Sequence, residues 1–286
     1  MIVTRFAPSP TGYLHLGHAF AAITAYETAR DANGRFLLRL EDLDIQRARP
    51  EFEAAIIDDL HWLGIAWPSP VLRQSQRFAA YGAAMRRLED EDLIYPCFCT
   101  RSEIAGEIAR AALAPHGPEG ALYPGTCRVL SHEARAERMR SGAPFAMRLD
   151  SARAKDRAGR LHFEERGAGP NGEHGLITVD ALLFGDIVVA RKDLPAAYHL
   201  AVVIDDAYQG VTLVTRGNDL FAATHVQRVL QALLCLPVPA YAHHRLILDR
   251  HGRKLSKRDK SASLRELRAI GSSAEDVRAM LCRQQR

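Results

Sequence analysis

The sequence predicts an α/β fold, a doubly wound parallel sheet with a small cysteine-bearing insertion and a short helical C-terminus. Three observations carry that expectation. The first fifty residues alternate strand, helix, strand; similar alternation resumes near residue 186; and the stretch from 95 to 128 differs in composition from both. An apolar strand over 2–7 leads through a Pro/Ser/Gly turn into a helix over about 17–30, and a second strand over 36–40 runs into acidic LEDLD. This is a βαβ unit. Helical patterns follow over 50–63 and 74–92, the first opening on Pro50 with acidic residues in its first turn, which suit a helix N-terminus.

The next stretch carries three cysteines and is rich in Ala, Pro and Gly over 111–125, so it reads as an inserted subdomain. Residues 164–175 form a turn-rich loop. Beyond it, strands near 186–190 and 211–215 and helices at about 196–203 and 219–234 complete the second half. An apolar strand ending in LILD precedes a basic segment, and short helical pieces follow over 263–270 and 273–282. The expected organisation is a first half of the main domain at 1–94, an insertion at 95–130, a second half at 131–245, and a basic loop with a helical tail at 246–286. There is no internal repeat or heptad array.

With 286 residues, 47% of them hydrophobic, the chain can bury a full core. No run approaches the ~20 apolar residues that cross a bilayer. The opening MIVTRFAPSP reads as a strand rather than a targeting leader, so a soluble, cytoplasmic protein is expected. Five cysteines, an odd number, argue against a disulfide framework and for metal or redox chemistry in any cysteine pair. A net charge of +4 permits contact with a polyanion without requiring it. The basic residues are unevenly chosen. Only Lys155, Lys192, Lys254, Lys257 and Lys260 are lysines among 38 basic residues, and three of them fall within one short segment. There the chain uses compact point charges where it elsewhere uses planar guanidinium groups.

Two motifs carry chemistry. The turn PSPTGYLHLGH, residues 8–18, leaves the first strand and enters the first helix, where doubly wound sheets bind ligands. His15 and His18 stand three apart, so both imidazoles can face one anion while the helix N-terminus supplies amides and partial positive charge. Gly17 between them would let a flat ring lie on the backbone. Taken alone, the same residues could be a glycine turn with two surface histidines. The segment HGRKLSKRDKS, residues 251–261, combines a glycine, three lysines and two serines. Such a cationic loop can close on a triphosphate and stabilise charge as it builds on a leaving group. Taken alone, such a segment reads first as a solvated basic loop or a nucleic-acid patch.

Together HLGH and KLSKR resemble the paired motifs of class I aminoacyl-tRNA synthetases, and their order and separation fit a single Rossmann-type domain. Leu255 replaces the usual methionine and Arg258 the final serine, leaving both key lysines in place. Within that family, RFAPSPTG, RLEDLD, YHLAVVIDD and TRGNDL look like the glutamyl branch. The resemblance implies a ligase that activates L-glutamate with ATP and Mg²⁺. It implies catalytic roles for His15, His18, Lys254 and Lys257, and an ATP site made by His15, Gly17, His18 and Lys257. Glutamate would be held by Arg5, Phe6, Ala7, Pro8, Ser9, Glu41, Tyr198 and Arg216. Arg5 and Arg216 would grip the side-chain carboxylate in charge-assisted bonds and Glu41 the α-ammonium. Each residue also has a plain structural reading, Arg5 as a strand-end charge, Glu41 as a partner of Arg39, and Tyr198 as a half-buried helix aromatic. Val202 stands where full-length glutamyl enzymes often carry a polar residue.

Cys97, Cys99 and Cys127 have spacing that suits one structural tetrahedral zinc with a fourth ligand to be found. Spacing alone points to His116; the family resemblance points to Tyr123. Reduced structural cysteines without metal are the alternative, and Cys235 reads as core. After Arg258 only 28 residues follow, below the ~50 of a small domain, so no separate anticodon-reading module is expected. That short architecture resembles the glutamyl-Q tRNA(Asp) synthetases, in which glutamate is attached to queuosine in the anticodon of tRNA(Asp). The partners implied are that tRNA and L-glutamate, with a monomeric enzyme and no membrane. The rival readings are charging of tRNA(Glu) with a partner protein, a small-molecule nucleotidyltransferase, and a non-enzymatic tRNA-binding module.

Overall fold

The protein is described by a computed structural model covering residues 1–110, 116–118, 120–191, 194–248 and 262–283. Strand β1 (Val3–Phe6) is buried along its length and runs into helix α1 (Leu16–Asp31), which returns the chain to β2 (Arg35–Leu40), parallel to β1 with Val3 opposite Arg35. Ala19, Ala22, Ala25 and Ala29 give α1 a small-residue face, and Thr4 Oγ1 donates to Ala25 O at 2.7 Å. Helix α2 (Pro50–Trp62) starts on its proline as expected, and β3 (Leu72–Arg73) extends the sheet beyond β2. The helix expected over 74–92 is instead a 3₁₀ turn, Gln74–Gln76, followed by α3 (Phe78–Asp90).

The middle of the chain departs from the expected layout. Strand β4 (Ile94–Cys97) carries the chain out into the insertion, where α4 (Arg101–Arg110), the two-residue strands β5 (His116–Gly117) and β6 (Gly120–Ala121), and α5 (His132–Arg140) lie. It returns on β7 (Ala146–Leu149), antiparallel to β4, and α6 (Ser151–Ala158) follows. Residues 95–97, where the expected insertion begins, are therefore strand in a sheet. An excursion that leaves and returns through neighbouring strands makes an antiparallel pair.

Strand β8 (His162–Glu165) pairs antiparallel with β9 (Gly175–Thr178). Strand β10 (Val188–Arg191), expected in the doubly wound sheet, pairs antiparallel with β7 instead, giving the order β10-β7-β4. Helix α7 (Tyr198–Tyr208), β11 (Leu213–Gly217), α8 (Ala223–Leu233) and β12 (Ala240–His244) follow, with β11, β12 and β8 parallel. Backbone bonds from Thr212 N to Val3 O (3.0 Å) and from Ala240 N to Thr212 O (3.0 Å) tie β1 to the β11 edge, so the two parallel sheets meet there.

Two expectations fail at the end of this half. The strand ends at His244, and residues 245–247 are irregular rather than part of an apolar strand ending in LILD. Cys235 is exposed, because α8 has already ended and the residue turns out with a φ of 52°. The tail behaves as read. Ser263 caps α9 (Leu264–Ala269) with Glu266 in a capping box, and α10 (Ala274–Arg283) follows. Leu264, Leu267, Val277 and Leu281 pack into the core beneath α1. Among the described residues no helix is long and apolar enough to cross a membrane.

Candidate active site

At the C-terminal end of β1, the HLGH turn opens a cavity of about 430 Å³ lined by Ser9, Thr11, His15, Gly17, His18, Phe20 and Ala21 on one side. Gly217, Asp219, Leu220 and residues His244, Arg245, Leu246 and Ile247 line the other. His15 is the N-cap of α1, and its Nδ1 accepts from Gly17 N at 3.1 Å while His18 Nδ1 accepts from His15 N at 3.2 Å. The two rings lie 3.8 Å apart. Because each Nδ1 is an acceptor, each neutral ring carries its proton on Nε2, the tautomer that donates. Two helix-start amides expected for a ligand are thus used within the turn. The flat ring lying against Gly17 is that of His15, whose Cε1 would be 3.0 Å from a Cβ there.

Lys254 and Lys257, with the rest of the KLSKR segment, lie outside the described residues, as does Lys260. Their flanks are placed. Leu246 and Ile247 form part of the cavity wall, and Ser263 bridges to His15 while Leu264 N donates to Leu14 O at 2.8 Å. The described residues on either side of the basic segment therefore stand at the HLGH turn.

A buried charge chain links β1, β2 and α7. Arg5 Nε donates to Asp206 Oδ1 at 3.0 Å, and Arg39 Nη1 donates to the same oxygen at 2.7 Å. Arg39 Nη2 reaches Glu41 Oε1 at 3.3 Å. Burial works to raise the Asp206 carboxyl, but Arg5 and Arg39 hold it below its ordinary range. At Glu41 burial wins over Arg39 and Arg5, and the carboxyl is pushed up. Phe6 and Pro8 are buried, Ala7 is half-buried and Ser9 exposed along the exit from β1. Tyr198 opens α7, half-buried against the larger core cluster, where Val202 is 2% exposed.

Arg216 comes from the next strand over; Arg5 Nη1 donates to Thr215 O, its neighbour, at 3.3 Å. Arg216 is fully engaged on one side, with Nε on His243 Nε2 (3.0 Å), Nη2 on Thr224 Oγ1 (2.6 Å) and Nη1 on Gln227 Oε1 (2.8 Å). Burial pushes His243 down, only partly offset by its hydrogen bond to Glu165. Sequence reading missed Arg39 as a hub, Asp206, Glu165 and His243. One signal was present: Asp205 and Asp206 sit side by side on an otherwise apolar helix, and a buried carboxylate there demands a partner. Asp205 finds Gln74, Arg77 and Tyr81.

The cysteine expectation is met in geometry. The Cys97, Cys99 and Cys127 sulfurs lie within 4.8 Å of one another, with Cys99 and Cys127 at 3.4 Å. The Tyr123 hydroxyl is 3.5 Å from Cys99 Sγ and accepts from Cys127 N at 2.9 Å. Four ligands at about 2.3 Å from one ion stand roughly 3.8 Å apart, so this donor set is of the right size for a small tetrahedral ion. Burial pushes the Cys99 thiol up to about 12. Cys127 goes the other way: burial opposes it, but the Phe98 N–H and the Tyr123 hydroxyl hold the thiol below its ordinary value. The side chain of His116 lies outside the described ones. Asp186 fastens the insertion to the antiparallel sheet by accepting from Tyr95 (2.5 Å), Arg128 (3.1 Å) and Ser151 (2.7 Å).

Residues 1–285 match the family described as tRNA synthetases class I (E and Q), catalytic domain. A glutamyl-Q tRNA(Asp) synthetase of Rhodobacter capsulatus is 49% identical over 98% of this chain and 99% of its own length. One from Nocardia farcinica is 47% identical over 97% of this chain and 82% of its own. Among solved structures, a glutamate tRNA ligase of Elizabethkingia meningosepticum in complex with its amino acid superposes with a TM-score of 0.74 at 27% identity. That match covers 95% of this chain but 53% of the ligase, so the chain spans about half the length of that solved relative.

Proposed function

The chain belongs to the catalytic-domain family of the class I tRNA synthetases (E and Q), and from that premise we propose that it glutamylates queuosine in the anticodon of tRNA(Asp). It is a ligase of the aminoacyl-tRNA synthetase type. An α-carboxylate oxygen of L-glutamate attacks the α-phosphorus of ATP, the bond to the leaving pyrophosphate breaks, and a glutamyl-adenylate forms. A hydroxyl of the acceptor then attacks the acyl carbon and AMP leaves. The observation that carries this reading is the 49% identity to a glutamyl-Q tRNA(Asp) synthetase along 99% of that protein.

The proposed roles follow the geometry. His15 and His18 donate to phosphate oxygens through Nε2, Gly17 leaves room for the His15 ring, and Lys254 and Lys257 stabilise departing pyrophosphate, with Mg²⁺ entering as part of the nucleotide substrate. Arg5 and Arg216 take the γ-carboxylate through donors that their protein partners leave over. Glu41 takes the α-ammonium, and Phe6, Ala7, Pro8, Ser9 and Tyr198 complete the amino-acid site. No side chain acts as nucleophile; positioning and electrostatics carry the step. Cys97, Cys99, Tyr123 and Cys127 would hold one Zn²⁺, which would cross-link the insertion at 95–130 between the two halves, 1–94 and 131–245.

The test is glutamate-dependent exchange of pyrophosphate into ATP in the presence of queuosine-containing tRNA(Asp). Exchange with glutamate and not with glutamine or aspartate is expected, and its loss in Lys257→Ala. Glutamate-independent exchange would point to a nucleotidyltransferase of another kind.

A further inference from the structure

Arg216 differs from the other buried arginines. Arg5 and Arg39 share Asp206, whereas Arg216, 5% exposed, has no carboxylate within ion-pair distance among the described residues. Its acceptors, His243 Nε2, Thr224 Oγ1 and Gln227 Oε1, are all uncharged in the arrangement shown. A buried cation with only neutral partners is a costly arrangement unless an anion is due to arrive.

A carboxylate stands one residue removed, behind His243. Glu165, 1% exposed, meets His243 Nδ1 at 2.5 Å through Oε2, and its Oε1 accepts from His243 N and Gly167 N, both at 2.8 Å. Gly167 makes this possible, because a Cβ there would lie 2.2 Å from His243 O. With three donors upon it, the carboxylate is fixed. As an acceptor-only group it requires the proton of His243 to sit on Nδ1, which leaves the Nε2 lone pair for Arg216. Thr224 Oγ1 stands 3.5 Å from that same Nε2, so the two acceptors lie side by side and take the Nε and Nη2 edge of the guanidinium. Three of five N–H donors are thereby used and two remain, one on each terminal nitrogen.

We propose that Glu165 and His243 are positioning residues that hold Arg216 with its two unused donors set for a carboxylate, and so select glutamate over glutamine. The proposal rests on the reading that Arg216 meets the substrate side chain. A carboxylate accepts both remaining donors and supplies the missing charge. A carboxamide offers one acceptor, and its NH₂ would face an N–H donor.

The test separates the two ends of the His243 ring. In His243→Asn the amide can still donate to Glu165 but no longer reaches Arg216; in His243→Gln the side-chain oxygen can still accept from Arg216. Thr224→Val removes the second acceptor on the same edge with little change of shape. Pyrophosphate exchange is measured for each variant against glutamate, glutamine and ATP, with thermal melting as a check on folding. His243→Asn is expected to raise the glutamate KM at least about tenfold while the ATP KM stays within about twofold, His243→Gln to recover most of it, and Thr224→Val to raise it in the same sense. Discrimination against glutamine narrows in parallel. Folded variants with unchanged glutamate KM, or with glutamate and ATP KM raised alike, would overturn the proposal. Absence of glutamate-dependent exchange in the unaltered protein would instead sink the functional reading on which it rests.

Discussion

Arg5 and Asp206 are 201 positions apart in sequence, yet their side chains meet at 3.0 Å in a pair from which water is almost excluded. The same Asp206 oxygen also takes Arg39, so one carboxylate holds two cations and, through Arg39, the Glu41 side chain. Replacing Asp206 by Asn keeps the shape and removes the charge. We expect a loss of about 3–5 kcal/mol in denaturant unfolding, because two buried guanidinium groups lose the carboxylate they share. Asp206 also sets an acid limit. Its folded pKa lies below the unfolded value of about 3.9, so its stabilisation is complete above that pH and disappears as pH falls through the lower folded value. In the Asn variant, stability should lose that part of its acid dependence.

Glu41 titrates in the opposite sense to Asp206, because burial there outweighs Arg39 and Arg5. If its carboxylate binds the α-ammonium group, glutamate affinity falls as acidification protonates it, beginning above the ordinary carboxylate range. The KM for glutamate in pyrophosphate exchange should rise toward mildly acidic pH while the KM for ATP stays level. Glu41→Gln should show a high glutamate KM with that pH dependence gone.

At Gly17 structure and function pull apart. Alanine is the better helix former by about 1 kcal/mol, which roughly offsets the cap bond from Gly17 N lost when the His15 ring moves, so Gly17→Ala should leave the melting temperature nearly unchanged. Its Cβ would press on the His15 ring at 3.0 Å from Cε1 and 3.1 Å from Nδ1, displacing the imidazole from the cavity wall. Activity should drop at least about tenfold, with the loss concentrated in ATP-dependent steps. A stable, fully active variant would remove His15 from the phosphate site.

For the cysteine cluster the expected outcome is one zinc per chain by elemental analysis, lost in Cys127→Ser and reduced in Tyr123→Phe. Chelation should lower the melting temperature, at about 2–4 °C for each kcal/mol withdrawn. Purified protein that is metal-free yet melts at the same temperature with and without added zinc would assign the thiols to packing alone.

Much of this was legible in the sequence because it is local. The β1 to α1 turn, the Pro50 helix start, the Ser263 capping box and the close cysteines are each set by neighbouring residues. The antiparallel sheet was not legible, since Ile94–Cys97 and Ala146–Leu149 are four-residue strands whose pairing depends on an excursion between them. Nor were the charge relays. Glu165 and His243 are 78 residues apart, and Arg39 and Asp206 are 167 apart, with nothing in either neighbourhood to name the partner. Cys235 was misread because apolar flanks suggested a continuing helix, whereas the chain turns left-handed at that residue.

The identity of the acceptor is tested by incubating the protein with ATP and radiolabelled glutamate alongside tRNA(Asp) with queuosine, tRNA(Asp) without it, and tRNA(Glu). Label is expected on the queuosine-containing tRNA(Asp) alone; label on tRNA(Glu) with none on either tRNA(Asp) would overturn the assignment.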